Sequence, residues 1–233
     1  AYISKKGFME TVDLSAKRYL FPPMHREGRR FVLIAALIAF LASLAIPPLT
    51  FIFILLPLYV YYFFRDPERV APLDPSLVVS PADGIVCLIQ KVAIPKELGA
   101  HTTPVWRVSV FMSVFNVHVN RMPATGILTK MHYIPGKFLN ASLDKASEFN
   151  ERYLYLMETP QKQTLAFVQI AGLVARRILS FVAEGQRLER SQRFGLIRFG
   201  SRVDVYLPEG IEPQVRVGQI MVAGETPLAR MSP

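Results

Sequence analysis

Apolar residues are bunched rather than spread along this chain. From Phe31 to Phe64 the only residues that are not apolar are Ser43, Pro47, Pro48, Thr50 and Pro57, and none is charged. A block of about 34 residues would measure roughly 50 Å as one helix, against a hydrocarbon core of about 30 Å, so one straight span is too long. Pro47-Pro48 divides it into two runs of about sixteen residues, each roughly 24 Å as helix. The pattern predicts a helical hairpin or re-entrant membrane anchor over 31–64, with a single tilted span as the rival. Residues 1–30 are polar and basic, with an amphipathic turn or two around Met9 to Tyr19. The apolar block starts late and lacks a small-residue cleavage site, which argues against a cleaved secretory signal.

After Arg65-Asp66-Pro67 the texture changes. Short apolar runs broken by Pro and Gly follow one another: Ile85 to Ile89, Trp106 to Met112, Ile127 to Ile134, Tyr153 to Met157, Leu165 to Ile170, Val203 to Leu207 and Ile220 to Val222. Their length and their branched and aromatic side chains predict strands. The expected fold class is α+β, mainly β: a β-rich domain over 65–233 behind an N-terminal helical membrane anchor.

Charge and composition narrow the partners. The chain of 233 residues carries 27 Lys and Arg against 18 Asp and Glu, a formal charge of +9. It lacks the aromatic-and-basic interleaving of a single-strand binder and any zinc-finger spacing, so no nucleic-acid partner is expected. Lys5, Lys6, Lys17, Arg18, Arg26, Arg29 and Arg30 all precede the apolar block, and an anionic membrane surface attracts each such residue by about 1 kcal/mol. Arg29 and Arg30 before the block, and Arg65 and Arg69 after it, place both ends at the cytoplasmic face of the cell membrane by the positive-inside rule. The single cysteine, Cys87, excludes an internal disulfide, and no His, Cys or carboxylate spacing predicts a metal site.

Three segments carry candidate chemistry: Ser80-Pro81-Ala82-Asp83-Gly84, then Phe115-Asn116-Val117-His118-Val119-Asn120-Arg121-Met122-Pro123, then Arg198-Phe199-Gly200-Ser201-Arg202-Val203-Asp204. A Gly-Ser pair alone is a common turn, and a lone histidine in an apolar strand is more often core than catalyst. Taken together and in this order, the segments resemble the signature segments of the phosphatidylserine decarboxylase family. Phe63-Phe64-Arg65-Asp66-Pro67, Ile134-Pro135-Gly136 and Asn150-Glu151-Arg152 extend the resemblance, which is nearest to the compact bacterial and archaeal branch.

The resemblance implies a self-processing enzyme. Ser201 would attack the carbonyl of Gly200, giving an ester that eliminates and hydrolyses to a pyruvoyl group, the covalent cofactor. The products would be a large subunit, 1–200, and a small subunit, 201–233, held as a heterodimer; further self-association is left open. The pyruvoyl ketone would form a Schiff base with the serine amine of a phospholipid substrate and take up the electrons released with carbon dioxide, yielding phosphatidylethanolamine. The resemblance casts His118 as proton shuttle and Asp83 as a participant in self-cleavage. Arg121 stands where the longer branch has a second histidine, and arginine is no base at neutral pH. Either His118 serves both steps or Asp83 acts more directly, while Arg121, with Asn120 beside it, is a candidate for binding the substrate's carboxylate or phosphate.

Two alternatives stay open. The same chemistry on archaetidylserine would leave the same signature. Leu143-Asp144-Lys145-Ala146 and Val222 to Leu228 are similar to phrases in lipoyl carriers, so a membrane-tethered, non-enzymatic lipoyl-like module is the other reading.

Overall fold

The computed structural model describes residues 21–100, 103–136, 149–172, 177–198 and 201–231. The segment Met9 to Tyr19, Lys145 with its neighbours, and Gly200 lie outside the described residues. The chain divides into two compact units, Ala1–Glu68 and Arg69–Pro233.

In the first unit, α1 (Arg29–Ala45) and α2 (Thr50–Phe63) pack against each other across a short 3-10 turn at Pro47–Leu49. Proline cannot donate to the preceding turn, so Pro47-Pro48 ends α1 and starts a new element. Large apolar side chains point outward from both helices, with Leu33, Leu41, Phe51 and Leu55 among the exposed. Only the small Ala35 and Ala39, one turn apart, are buried in α1. A surface that is apolar nearly all round suits lipid better than water, and the helical stretch Arg26–Ala45 is long and apolar enough to cross a membrane. Such a helix fits membrane association.

The hairpin is closed at its base. Met24 and Arg65 form an antiparallel bridge, His25 N donates to Phe64 O at 2.9 Å, and Asp66 N donates to Pro23 O at 2.7 Å. The Tyr61 hydroxyl adds a bond to Pro22 O at 2.6 Å, and Phe31 stacks on Phe64 at 5.3 Å. The chain therefore enters and leaves the apolar pair side by side.

The second unit is built from β1 (Leu77–Val79), β2 (Gly84–Val92), β3 (Val105–Met112), β4 (Val119–Arg121), β5 (Gly126–Ile134), β6 (Arg152–Glu158) and β7 (Thr164–Ala171). After these come β8 (Arg177–Ser180), β9 (Arg187–Leu188), β10 (Arg193–Arg198), β11 (Ser201–Tyr206), β12 (Ile220–Met221) and β13 (Pro227–Arg230). An eight-stranded sheet runs β12-β2-β3-β11-β7-β6-β5-β9, a three-stranded sheet runs β4-β10-β8, and β1 pairs with β13. All pairings are antiparallel. The fold is α+β and mainly β, as the short runs predict.

One hydrophobic cluster holds Val110, Met112, Tyr155, Phe167, Phe194 and Val203. Tyr155, Phe167 and Phe194 form an aromatic knot within it, with ring centroids 4.9 to 5.2 Å apart. A second cluster, with Ile94, Leu98, Val168, Ile170 and Tyr206, covers the other face of the large sheet. Strand β11 lies between β3 and β7, and all six of its residues are buried. Alternation sends Ser201, Val203 and Val205 to the first face and Arg202, Asp204 and Tyr206 to the second.

Candidate active site

Ser201 opens β11, opposite Met112 of β3 and Ala171 of β7. Its side chain is fully buried, and its hydroxyl approaches the Met112 sulfur at 3.9 Å. A thioether is a weak acceptor, so among the described residues the hydroxyl is held without being tied to a strong partner. Asn120, from β4 in the facing sheet, is also fully buried and donates Nδ2 to the same sulfur at 3.5 Å. Two of the residues singled out in the sequence therefore converge on Met112.

His118 stands just before β4, on the same side of the strand as Asn120 by alternation. The imidazole is completely buried, and its Nδ1 lies 2.9 Å from Asn116 O. A carbonyl can only accept, so Nδ1 carries the proton and Nε2 is the basic nitrogen of the neutral ring. The turn that sets this bond is itself pinned: Asn116 Oδ1 accepts from Ser113 N at 2.9 Å and from Ser113 Oγ at 2.8 Å.

Asp83 precedes β2. Arg69 NH2 lies 3.0 and 2.8 Å from its two carboxylate oxygens, and Ala223 N donates to Oδ1 at 2.8 Å. The neighbouring Gly84 explains how the segment reaches the Ser201 end of the sheet. A Cβ at Gly84 would lie 2.0 Å from Phe111 O, so only glycine lets this backbone close on the tip of β3. Arg69 was not foreseen as the partner of Asp83, because it lies in an irregular stretch and pairs across 14 residues.

Arg121 points elsewhere. It is 4% exposed, donates from NH1 to Ser191 O at 3.0 Å, and has its Cδ 3.0 Å from where a Cβ on Gly224 would be. Its backbone N donates to Pro81 O at 2.9 Å. The residue ties together the segments around 81, 191 and 224.

Sequence reading missed two buried features. Behind Ser201, Arg202 pairs with Asp204, its NH2 donating to Oδ2 at 3.0 Å and its Nε lying 2.8 Å from Oδ1, while Arg107 Nε lies 3.8 Å from Oδ2. In front of it, Gln169 and Tyr155 link to Asn120. The available signal was parity: Gln169 is the one polar residue among Leu165, Phe167 and Ala171, which share its face of β7.

Comparison with known proteins shows the family. The family model for phosphatidylserine decarboxylase matches residues 56–229. A phosphatidylserine decarboxylase proenzyme of Cereibacter sphaeroides is 56% identical over 210 residues, covering 90% of each chain. Proteins of the same description from Ruegeria pomeroyi and Paramagnetospirillum magneticum are 56% and 52% identical, over 89% and 95% of this chain and 94% and 92% of theirs. The chain belongs to the phosphatidylserine decarboxylase family of enzymes, which displaces the carrier-module alternative.

Proposed function

We propose that this chain is a proenzyme that splits itself between Gly200 and Ser201 and then converts phosphatidylserine to phosphatidylethanolamine and carbon dioxide at a membrane. The observation that carries the reading is the position of Ser201: a buried hydroxyl facing only a thioether among the described residues, at the head of the central strand. The description of the relatives as proenzymes supports maturation by scission.

The surroundings of Ser201 fit a small ketone made from that residue. Met112, Ala171 and Val203 make them apolar, and the amide of Asn120 offers a donor. A pyruvoyl group there would supply an electrophile for the substrate amine and a sink for the electrons released with carbon dioxide. His118, its tautomer set by Asn116 O, holds a basic Nε2 to take up and return a proton. Asp83, held by Arg69 and Ala223 N, orients the segment facing the tip of β3 during scission. Asn120 and Arg121 are assigned to the anionic headgroup.

The apolar helix pair serves as a re-entrant anchor. The second helix, α2, is shorter than the bilayer core, about 21 Å against about 30 Å, and the Met24–Arg65 bridge at the base of the pair favours entry and exit at one face, the cytoplasmic one by charge. Anionic lipid is the expected surface, and the two products of scission stay together as a heterodimer.

Intact-mass measurement of the purified protein, with carbon dioxide release from phosphatidylserine vesicles, tests the reading. Scission before residue 201 and turnover are expected, and both should vanish in Ser201→Ala. An active protein whose mature form keeps an unbroken Gly200–Ser201 bond would exclude it.

A further inference from the structure

The amides beneath Ser201 form a chain with a fixed direction. Tyr155 donates its hydroxyl to Gln169 Oε1 at 2.7 Å, Gln169 Nε2 donates to Asn120 Oδ1 at 2.7 Å, and Asn120 Nδ2 donates to Met112 Sδ at 3.5 Å. Ser201 Oγ lies 3.9 Å from the same sulfur. All five residues are fully buried.

The direction follows from what each group can give. A thioether accepts weakly and donates nothing, so the end of Asn120 that faces it is the N–H end. The Asn120 oxygen then needs a donor, which is Gln169 Nε2, and the Gln169 oxygen needs another, which is the phenol. Burial pushes the Tyr155 phenol well above its usual range, so it stays a donor. Room is also made for the chain: a Cβ on Gly195 in the facing sheet would lie 2.7 Å from Gln169 Nε2. Three polar side chains in an aromatic core are costly unless every group is matched, and here the matching delivers one N–H to a weak acceptor beside Ser201.

We propose that Tyr155 and Gln169 are positioning residues for maturation: they hold the Asn120 amide with its N–H at the Met112 sulfur that the Ser201 hydroxyl also meets, poised to turn to Oγ as charge develops there. The proposal rests on the self-processing reading above. After Oγ has attacked the Gly200 carbonyl and the peptide nitrogen has left, residues 200 and 201 are joined by an ester. A base then removes the Ser201 α-proton, and the C–H electron pair becomes the Cα=Cβ bond. The Cβ–Oγ pair moves onto Oγ, which departs as an oxygen of the Gly200 carboxylate. The negative charge gathers on an atom that started beside the Met112 sulfur, where a donor held close in advance needs little reorganisation.

The test reads the ester. Tyr155→Phe keeps the ring stacked 4.9 Å from both Tyr153 and Phe167, and Gln169→Met keeps the volume. Freshly made full-length chains are denatured at intervals, with and without hydroxylamine, and weighed intact. Hydroxylamine splits an ester between 200 and 201 and leaves an amide alone. Both variants should mature slower by on the order of tenfold and accumulate a full-length species that hydroxylamine splits, with the thermal midpoint of Tyr155→Phe close to that of the parent. Maturation at the parental rate overturns the proposal. So does a stalled chain that resists hydroxylamine, since the block would then precede elimination, and so does loss of folding in both variants, which would make the chain a packing element. Failure of the parent itself to split at 201 would instead defeat the self-processing reading.

Discussion

Strand β11 is buried on both sides, and its two faces are made of different material. Toward the first cluster it presents Ser201, Val203 and Val205, with neutral groups only; toward the second it presents Arg202, Asp204 and Tyr206, with two guanidinium groups around one carboxylate. Burial, then the Asp204 charge, pushes the Tyr206 phenol up to about 12, and burial pushes the Cys87 thiol up. Charge placed behind the strand leaves the Ser201 side apolar, so on the proposed reading the amide of Asn120 would act in a low-dielectric setting where a single donor has more effect. The proposed scission thus falls on the face with the weaker contacts.

The comparison can be broken most sharply at Ser201. Ser201→Ala should lose all turnover and scission, yet keep the thermal midpoint of the unsplit parent precursor, because it gives up only a weak contact with sulfur among the described residues; a large fall in stability would mean the front face bears load. On the rear face the order reverses. Asp204→Ala leaves buried guanidinium groups without their carboxylate and should cost about 3–5 kcal/mol, read by urea unfolding of a scission-blocked chain. Replacing the group together, as Arg107→Met, Arg202→Met and Asp204→Leu, should recover most of that loss, because buried ion clusters exchange for apolar packing at little net cost. A triple variant as weak as Asp204→Ala would show that the charges themselves are needed.

An exposed ion pair supplies the smallest effect. Asp74 is bonded by the hydroxyl and backbone N–H of Ser76 and by Arg230, and these hold its carboxyl down at about 2. A carboxylate lowered on folding stabilises above its unfolded value near 3.8 and loses that contribution as pH falls toward 2. The difference in thermal midpoint between the parent and Asp74→Asn should therefore be present at pH 5 to 7 and close between pH 4 and 2.

Much of the fold could be read from the chain because its long strands are buried, apolar and bounded by Pro or Gly. The seven runs chosen by texture correspond to β2, β3, β5, β6, β7, β11 and β12. The small sheet was harder: β4 has three residues, β8 begins at an exposed Arg177, and β10 carries Arg193, Gly195 and Arg198, so composition speaks for turns. Its pairing with β4 is set by tertiary contact instead. At the site, Ser201 and Asn120 are brought to one sulfur, whereas Arg121 turns toward Ser191. Nothing local told these apart, since adjacent strand residues point to opposite sides and the side that mattered depended on which sheet covered β4. Gln169 and Tyr155 were hidden inside runs that read as plain core.

The central seat of β11 has a thermodynamic consequence. Once the bond before residue 201 is gone, the short fragment still occupies a middle strand paired through every residue on both flanks, and β12 and β13 dock it twice more. Melting the mature protein then releases two molecules where melting the precursor releases one. Its transition temperature should climb with protein concentration, while that of an unsplit chain stays put.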